Sequence, residues 1–281
     1  MNELKGRVFG GERALFQLSG ARLVGCRFGE GESPLKHSRG IEAEDTLFGW
    51  KYPLWYSRDI RLEDCTFAEE ARAGIWYTEN ISLKNCAYDA PKGFRRCIGV
   101  TVSDTSFPNA AETLWHCKNV RLSRVTACGD YLAMNSEDME IEGLELNGNY
   151  SFDGAKRVHI RNSRLISKDA FWNSEDITAE NCFISGEYLG WNSKRLTLIN
   201  CTVESLQGLC FIEDLVMRNC TLVNTTLAFE YSTVDAEIVS GVDSIKNPSG
   251  GVIRVAGKVG ELITEPDKVD VSATRIEITE E

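Results

Sequence analysis

The chain has 281 residues, of which 42% are hydrophobic and 26% are charged, the composition of a soluble globular protein and not of a disordered one. Its net charge of −11 argues against a nucleic-acid partner held by bulk electrostatics, because a negative field repels phosphate. The N-terminal stretch has scattered charges and no apolar run of signal-peptide length. We therefore expect a cytoplasmic protein with no membrane and no nucleic-acid partner.

An eight-residue motif recurs along the chain. The clear copies are RDIRLEDC (58–65), ENISLKNC (79–86), EDITAENC (175–182), KRLTLINC (194–201) and EDLVMRNC (213–220). Weaker copies fill the gaps, so that the last residues of successive copies lie 19 to 21 residues apart between Cys26 and Gly241. A period of this length, sustained over most of the chain, predicts a solenoid.

Each copy reads as a strand followed by a bend. Ile81 and Leu83 are apolar residues two apart, the pattern of a strand with one buried face. The next-to-last residue is Asn or Asp in most copies, as at Asn85, and these residue types tolerate left-handed backbone. A second short strand is predicted after the bend. A third is predicted before the motif, in segments such as GIWYT (74–78) and TLWHC (113–117).

Three short strands per repeat predict an all-β fold, a single-stranded right-handed parallel β-helix of about 11–12 coils of 19–21 residues, capped at both ends. A left-handed hexapeptide helix is the competing architecture, but the chain lacks strict six-residue spacing. We expect one domain overall, with an N-terminal cap over 1–13, the β-helix over 14–245 and a β-rich C-terminal cap over 246–281.

Six of the ten cysteines occupy the last position of the motif. They are Cys26, Cys65, Cys86, Cys182, Cys201 and Cys220. This placement indicates small, buried, reduced thiols stacked coil upon coil, as in a reducing compartment. The chain has no C-x-x-C pair, so we expect neither a metal site nor a cofactor.

The Asn/Asp column before Cys or Thr and the 19–21-residue coils resemble those of the pectin-lyase-like right-handed β-helix superfamily. More narrowly, the N-C repeat and the LWYS-like segments resemble an uncharacterised bacterial family of cytosolic β-helix proteins, a domain of unknown function, over about residues 14–245. The superfamily resemblance implies polysaccharide lyases and hydrolases acting on one exposed sheet, although it includes many non-catalytic members. The narrower family brings no established activity, so it is left open whether this chain is an enzyme.

The third predicted strand carries five tryptophans in one repeat column, which we place on the outside. Lys36, Arg95 and Asp153 share this column and could not be buried unpaired without a large cost. The preceding column is nearly all apolar and fits the inward role better. The following column includes Tyr77, Arg96 and His116, so we expect a bulge or corner that lets both columns face solvent.

A row of aromatic side chains with interspersed charges would suit stacking against sugar rings. The expected ligand-binding residues are Trp55, Trp76, Tyr77, Trp115, Trp172 and Trp191. Alternatively, the tryptophans pack against one another or form a homodimer or partner interface. The two hypotheses are therefore a carbohydrate-binding or carbohydrate-processing protein, and a non-enzymatic cytosolic scaffold that uses its aromatic face for contact.

The candidate catalytic residues are Arg95, Arg96, His116 and Asp153. The first three fall on adjacent coils beside Tyr77. A lyase needs a basic residue with calcium-binding carboxylates, and a glycoside hydrolase needs paired carboxylates. The carboxylates near this strand form no paired motif, and the short corners offer no long cleft walls. These carboxylates are Asp89, Glu112, Asp130, Asp153 and Asp169.

Overall fold

The structure is a computed structural model that describes residues 2–279, so Met1, Glu280 and Glu281 of the predicted caps lie outside it. The described residues form β-strands and turns with one short 3₁₀ helix, Val271–Ala273, and no α-helix. Within this range no helix has the length and apolar character needed to cross a membrane. The chain divides into two compact units, one ending at Glu145 and one starting at Leu146.

Most coils of the first unit contain a long strand and a short strand. The long strands are Asn2–Lys5, Ser19–Val24, Arg39–Glu44, Arg58–Glu63 and Glu79–Lys84, and the short ones are Val8–Phe9, Arg27–Phe28, Leu47–Phe48, Thr66–Phe67 and Ala87–Tyr88. Ile98–Phe107 and Lys118–Cys128 run through the bend and combine both strands. Pairing is parallel and in register from coil to coil, so that Ile81 lies between Ile60 and Val100.

The second unit repeats this arrangement. Its strands are Lys156–Arg161, Arg164–Ile166, Glu175–Glu180, Phe183–Ser185, Lys194–Ile199, Thr202–Leu206, Leu215–Thr226, Thr233–Ile238, Val242–Lys246, Gly250–Val255, Val259–Ile263 and Thr274–Ile278. The strand Glu137–Asn147 contains the boundary between the units. Ile177 lies between Val158 and Leu196 in the parallel ladder, the register that the repeat predicts.

These coils form the right-handed parallel β-helix that the repeat predicts. It has about 15 turns, more than the expected 11–12. The difference arises because coils also form outside residues 14–245. Asn2–Lys5 pairs with Ser19–Val24 near the N-terminus, and Gly250–Val255 pairs with Thr274–Ile278 near the C-terminus.

The predicted bend is present in both units. The next-to-last residues of the motif copies have φ between 48° and 54° at Asp45, Asp64, Asn85, Asp104, Asn162, Asn181, Asn200 and Asn219. Their side chains also bond between coils: Asn219 Nδ2 donates to Asn200 Oδ1 at 2.8 Å, and Asn200 Nδ2 donates to Asn181 Oδ1 at 3.2 Å. Asn and Asp therefore serve the left-handed corner and link it along the helix.

The core is a set of stacked columns. In the first unit the short strands contribute a buried aromatic stack, with ring centroids 5.3, 4.6, 4.4 and 5.5 Å apart along Phe28, Phe48, Phe67, Tyr88 and Phe107. In the second unit the same column is aliphatic, with Leu165, Ile184, Val203 and Leu222. This column points inward as predicted.

The motif cysteines are buried and free, as predicted. Cys65 Sγ donates to the carbonyl of Glu63 at 3.3 Å and lies 3.5 Å from that of Ala43. The neighbouring Cys86 thiol and burial raise the pKa of Cys65, so it remains a protonated thiol. Among the cysteines of residues 2–279, only Cys128 is exposed.

The third strand forms in only part of the first unit, so its prediction for every coil was wrong. It is present at Ile75–Trp76 and Phe94–Arg95, with a single bridge from Arg95 to Trp115. In the other coils this segment is a turn, because left-handed residues interrupt it, such as Phe152 with φ of 61° and Phe171 with φ of 64°.

Candidate functional site

In most coils the segment before the motif copy presents two neighbouring residues to solvent, as expected, although Cys210 and Glu230 at this position are buried. Leu54 and Ile75 are fully buried, and the tryptophan that follows each of them is half-buried. The next residue is more exposed, 45% at Tyr56 and 37% at Tyr77. A corner makes this possible, since Tyr56 and Tyr77 have φ of 55° and 57° and break the alternation of a strand.

The tryptophan column of the first unit is a continuous stack, here called the inner row. It contains Lys36, Trp55, Trp76, Arg95 and Trp115. The indoles of Trp55 and Trp76 stack with centroids 5.1 Å apart and planes 5° from parallel. The Arg95 guanidinium lies between two indoles, 4.4 Å from the Trp76 ring and 4.6 Å from the Trp115 ring. Lys36 Nζ lies 5.8 Å from the Trp55 ring.

Backbone hydrogen bonds fix these indoles in place. The Nε1 group of Trp55 donates to the carbonyl of Ala73 at 2.6 Å, that of Trp76 to Lys92 at 3.0 Å, and that of Trp115 to Tyr131 at 2.7 Å. Because both faces of Trp76 are covered by its neighbours in the row, a sugar ring has no open face to stack on there. At Trp76 the predicted sugar-stacking face is therefore occupied by the row itself.

The next residue of each coil forms an outer row in the first unit, made of His37, Tyr56, Tyr77, Arg96 and His116. The rings of His37 and Tyr56 stack at 5.2 Å, and those of Tyr56 and Tyr77 at 4.7 Å. Backbone bonds continue the register, since Tyr77 N–H donates to the Arg95 carbonyl and Arg96 N–H to the Trp115 carbonyl. The outer row thus presents hydroxyl, imidazole and guanidinium groups on successive coils.

Two cations of these rows lack acidic partners. Arg95 pairs with Glu112 at 3.1 Å, and Glu112 also pairs with Lys92 at 3.3 Å. Within residues 2–279, however, no carboxylate lies within ion-pair distance of Lys36 or Arg96. The surface near the outer row is therefore locally basic on a protein of net charge −11.

One of the two histidines of the outer row, His116, has a lowered pKa, which favours its neutral form. Burial lowers the pKa of His116 below its ordinary value of 6.5, and the positive charges of Arg96 and Arg95 lower it further. At neutral pH the imidazole can both donate and accept a hydrogen bond.

Of the predicted catalytic residues, the structure brings Arg95, Arg96 and His116 together. Arg95 lies between two indoles and pairs with Glu112, and its side chain is 21% exposed. Asp153 belongs to the second unit, where its Oδ1 accepts a hydrogen bond from Asn173 Nδ2 at 3.0 Å. In the part of the chain that the structure describes, no group of three or more His, Cys, Asp or Glu residues could hold a metal ion.

The corresponding column of the second unit, here called the second row, is less regular. It contains Asp153, Trp172, Trp191, Cys210 and Glu230. Trp191 contacts the Phe211 ring at 4.3 Å, and Trp172 lies 6.3 Å from Tyr150. Within the described residues of this unit, neither Trp172 nor Trp191 makes the indole-to-carbonyl bond seen in the first unit. The row turns inward at Cys210 and Glu230, which are buried.

Comparison with known proteins identifies the family. The family model described as "Protein of unknown function (DUF3737)" matches residues 2–277, so the chain belongs to this family. The predicted resemblance to a β-helix family of unknown function is thereby confirmed. No curated protein matches the chain.

Solved structures share the fold at low sequence identity. A surface adhesin of Streptococcus pneumoniae, PfbA, is 12% identical with a TM-score of 0.55, covering 82% of this chain and 83% of the adhesin. A tailspike protein mutant of E. coli bacteriophage HK620, solved in complex with a hexasaccharide, is 11% identical with a TM-score of 0.53, covering 92% of this chain and 71% of the tailspike chain. At such identities the likeness establishes the right-handed β-helix and nothing finer.

Proposed function

We propose that this member of the DUF3737 family is a saccharide-binding protein whose contact surface is the outer row of the first unit. The observation that carries the proposal is the run of exposed polar heads on Tyr56, Tyr77, Arg96 and His116. Hydroxyl, imidazole and guanidinium groups can donate hydrogen bonds to sugar oxygens, and the first two can also accept them from sugar hydroxyls. The fold it shares with a tailspike solved with a hexasaccharide supports the same class of ligand.

In this proposal the tryptophans support the site and do not stack on the sugar. Each outer-row residue directly follows an inner-row residue, and Tyr77 follows Trp76, whose ring and N–H are both held. A rigid base reduces the entropy that binding must overcome, which favours affinity. Linear spacing along successive coils favours an extended oligosaccharide over a single sugar.

The side chains in and beside the outer row are suited to binding a saccharide without cleaving it. Glycoside hydrolysis requires two carboxyl groups beside the bond to be broken. The carboxylate next to the row, Glu112, is held by Arg95 and Lys92. Arg96 is a permanent cation with no described carboxylate partner, which suits binding to an oxygen-rich ligand more than proton transfer.

A glycan array tests the proposal. We expect hits with the wild-type protein that are lost in Tyr77→Ala and in Arg96→Ala, because both remove polar contacts from the outer row. Ile98→Ala is the control, since Ile98 is 46% exposed on the long-strand side of the first unit and lies outside the row. An absence of hits with the wild type, or hits that survive both row variants, would contradict the proposal.

A homodimer or partner contact through the same surface is the second candidate. It is favoured by exposed aromatic area, since Phe16 is 38%, Tyr56 45% and Tyr77 37% exposed. It predicts a concentration-dependent dimer that Tyr56→Ala dissociates in sedimentation equilibrium. A wild-type protein that remains monomeric at high concentration would eliminate the homodimer form.

We also propose a cytoplasmic location. Nine buried free thiols are supported best by a reducing compartment. Cell fractionation with an antibody against the native protein tests this, and recovery outside the cytoplasm would contradict it.

A further inference from the structure

The two rows of the first unit carry positive charge that the chain does not neutralise. Arg96 is exposed and Lys36 is half-buried, and within residues 2–279 no carboxylate lies within ion-pair distance of either. On the long strands of the same unit several cations pair with a carboxylate of a neighbouring coil, as Lys84 does with Glu63 at 2.6 Å. The chain has 42 acidic and 31 basic residues, so a shortage of carboxylates does not explain the two unpaired cations.

The positive charge is concentrated around Arg96. Arg95 precedes it in the chain, and Lys92 lies on the same coil. Glu112 pairs with both of these neighbours, at 3.1 Å from Arg95 and 3.3 Å from Lys92. Three cations therefore share one carboxylate, which leaves an excess of two positive charges. Burial and the charges of Arg96 and Arg95 lower the pKa of His116, so this field reaches the outer row.

A second positive position lies farther along the rows. Lys36 Nζ is 5.8 Å from the Trp55 ring and 5.6 Å from the Tyr56 ring, so the ammonium group lies against the coil that carries these rings. Ring faces attract the ammonium group but leave its charge without a counter-ion. Tyr77 occupies the one coil between Tyr56 and Arg96. Two coil steps of about 4.8 Å therefore separate the two positive positions by roughly 10 Å.

Anionic groups on a saccharide match these positions. A guanidinium group is always charged and presents parallel N–H donors that fit a carboxylate or a sulfate ester. A neutral sugar hydroxyl group would leave that charge uncompensated. A nucleic acid fits less well, because every nucleotide adds a phosphate while the rows offer two separated unpaired cations on a protein of net charge −11.

We infer that the outer row binds an acidic oligosaccharide, with one anionic group on Arg96, a second beside Lys36, and neutral sugar hydroxyl groups at Tyr77 between them. This inference rests on the proposed function and deepens it, because it assigns to the saccharide a charge and a spacing of its charges. Neutral oligosaccharides of the same length bind more weakly. Opposite charges at matched positions provide this selectivity.

The test compares matched glycans by calorimetry on the full-length protein. The set consists of an oligosaccharide that carries carboxylates, its sulfated counterpart, and its carboxyl-reduced neutral counterpart of the same length and linkage. We expect the wild type to bind an acidic form at least about tenfold more tightly than the neutral form, the effect of one charge-assisted hydrogen bond. The acidic form that binds more tightly identifies the anionic group. Added salt should reduce this preference.

Two variants assign the preference to the outer row. Arg96→Gln should remove most of it and should melt at the wild-type temperature, because Arg96 is exposed and has no carboxylate partner among the described residues. Lys84→Gln is the matched control, since it removes an equal charge from a long strand of the same unit. This control should keep the preference for the acidic form.

The outcomes separate this inference from the proposed function. Equal affinity for the acidic and neutral forms would overturn the inference alone, and so would array hits restricted to neutral glycans. A preference that survives both Arg96→Gln and Lys36→Gln would also overturn it. Single-stranded DNA that binds as tightly as an acidic glycan of equal charge would overturn it in favour of an unselective polyanion surface. An absence of any bound glycan would overturn both proposals.

Discussion

The aromatic rows of the two units have the same origin in the repeat but differ in how firmly they are held. In the first unit Trp55 and Trp76 stack nearly parallel, and their N–H groups donate to backbone carbonyls of the next coil. In the second unit Trp172 and Trp191 lack these bonds to the described residues, and the row turns inward at Cys210. The difference shows that the repeat determines which column a tryptophan occupies. The neighbouring residues in that column determine whether the indole is fixed in place.

The largest expected difference concerns stability. Trp76→Ala removes an indole between Trp55 and Arg95 together with its hydrogen bond, and we expect a loss of about 3 kcal/mol in the free energy of unfolding. Trp172→Ala should cost about 1 kcal/mol, because that ring has a single longer ring contact. Urea denaturation measures both. Equal losses would show that the two rows are equally well packed.

Substitutions of the Asn residues at the left-handed bend should lower the free energy of unfolding equally in both units. Asn85→Ala and Asn200→Ala each place a Cβ-bearing residue without a compensating polar group at φ of 52°, and each should cost about 1–2 kcal/mol. Asn85→Gly and Asn200→Gly are the controls and should cost less, since glycine accepts this conformation. Urea midpoints provide the comparison. A large loss of stability in one unit only would indicate that the bend does not stabilise both units in the same way.

A smaller effect of opposite sign is expected in the first unit's aromatic core. Tyr88 is fully buried in the stack, and its hydroxyl has no hydrogen-bond partner among the described residues. Tyr88→Phe should therefore stabilise the protein by about 1 kcal/mol, because an unsatisfied polar group is removed. A lower melting temperature in the variant would show that the hydroxyl is satisfied, for example by water.

The smallest effect concerns the charge of His116. Arg96→Ala should raise the pKa of His116 toward its ordinary value of 6.5, since one of the repelling cations is removed. The folded-state pKa lies below the unfolded one, so His116 lowers stability as pH falls through 6.5, and less so in the variant. An NMR titration of the imidazole checks this. A lower or unchanged pKa would contradict the arrangement of the outer row.

The regular parts of the molecule could be predicted from the sequence because they repeat. Spacing and alternation fix residues such as Ile81 and Leu83 as core, and Asn85 as a left-handed corner. The second left-handed column was missed, although Asp59, Asn80 and Gly99 in that column carry the residue types that favour it. These residues lie in the segment that the alternation of apolar and polar residues predicts to be a strand, so their left-handed conformation was not predicted.

The site was harder to predict, for physical reasons. The direction of Tyr77 depends on a left-handed φ of 57° at a residue type that gives no sign of it. Whether Trp76 offers its face or its edge depends on Trp55 and Arg95, which are 21 and 19 residues away in the chain.

The most direct measurement is hydrogen exchange of the indole N–H groups, resolved by ¹⁵N NMR. Because the N–H groups of Trp55, Trp76 and Trp115 donate to backbone carbonyls, they should exchange slowly, while those of Trp172 and Trp191 should exchange rapidly. That result would establish the inner row as a fixed support for the outer row. Rapid exchange at all five indoles would contradict the fixed inner row. The tryptophans of the first unit would then again be candidates for direct contact with a ligand.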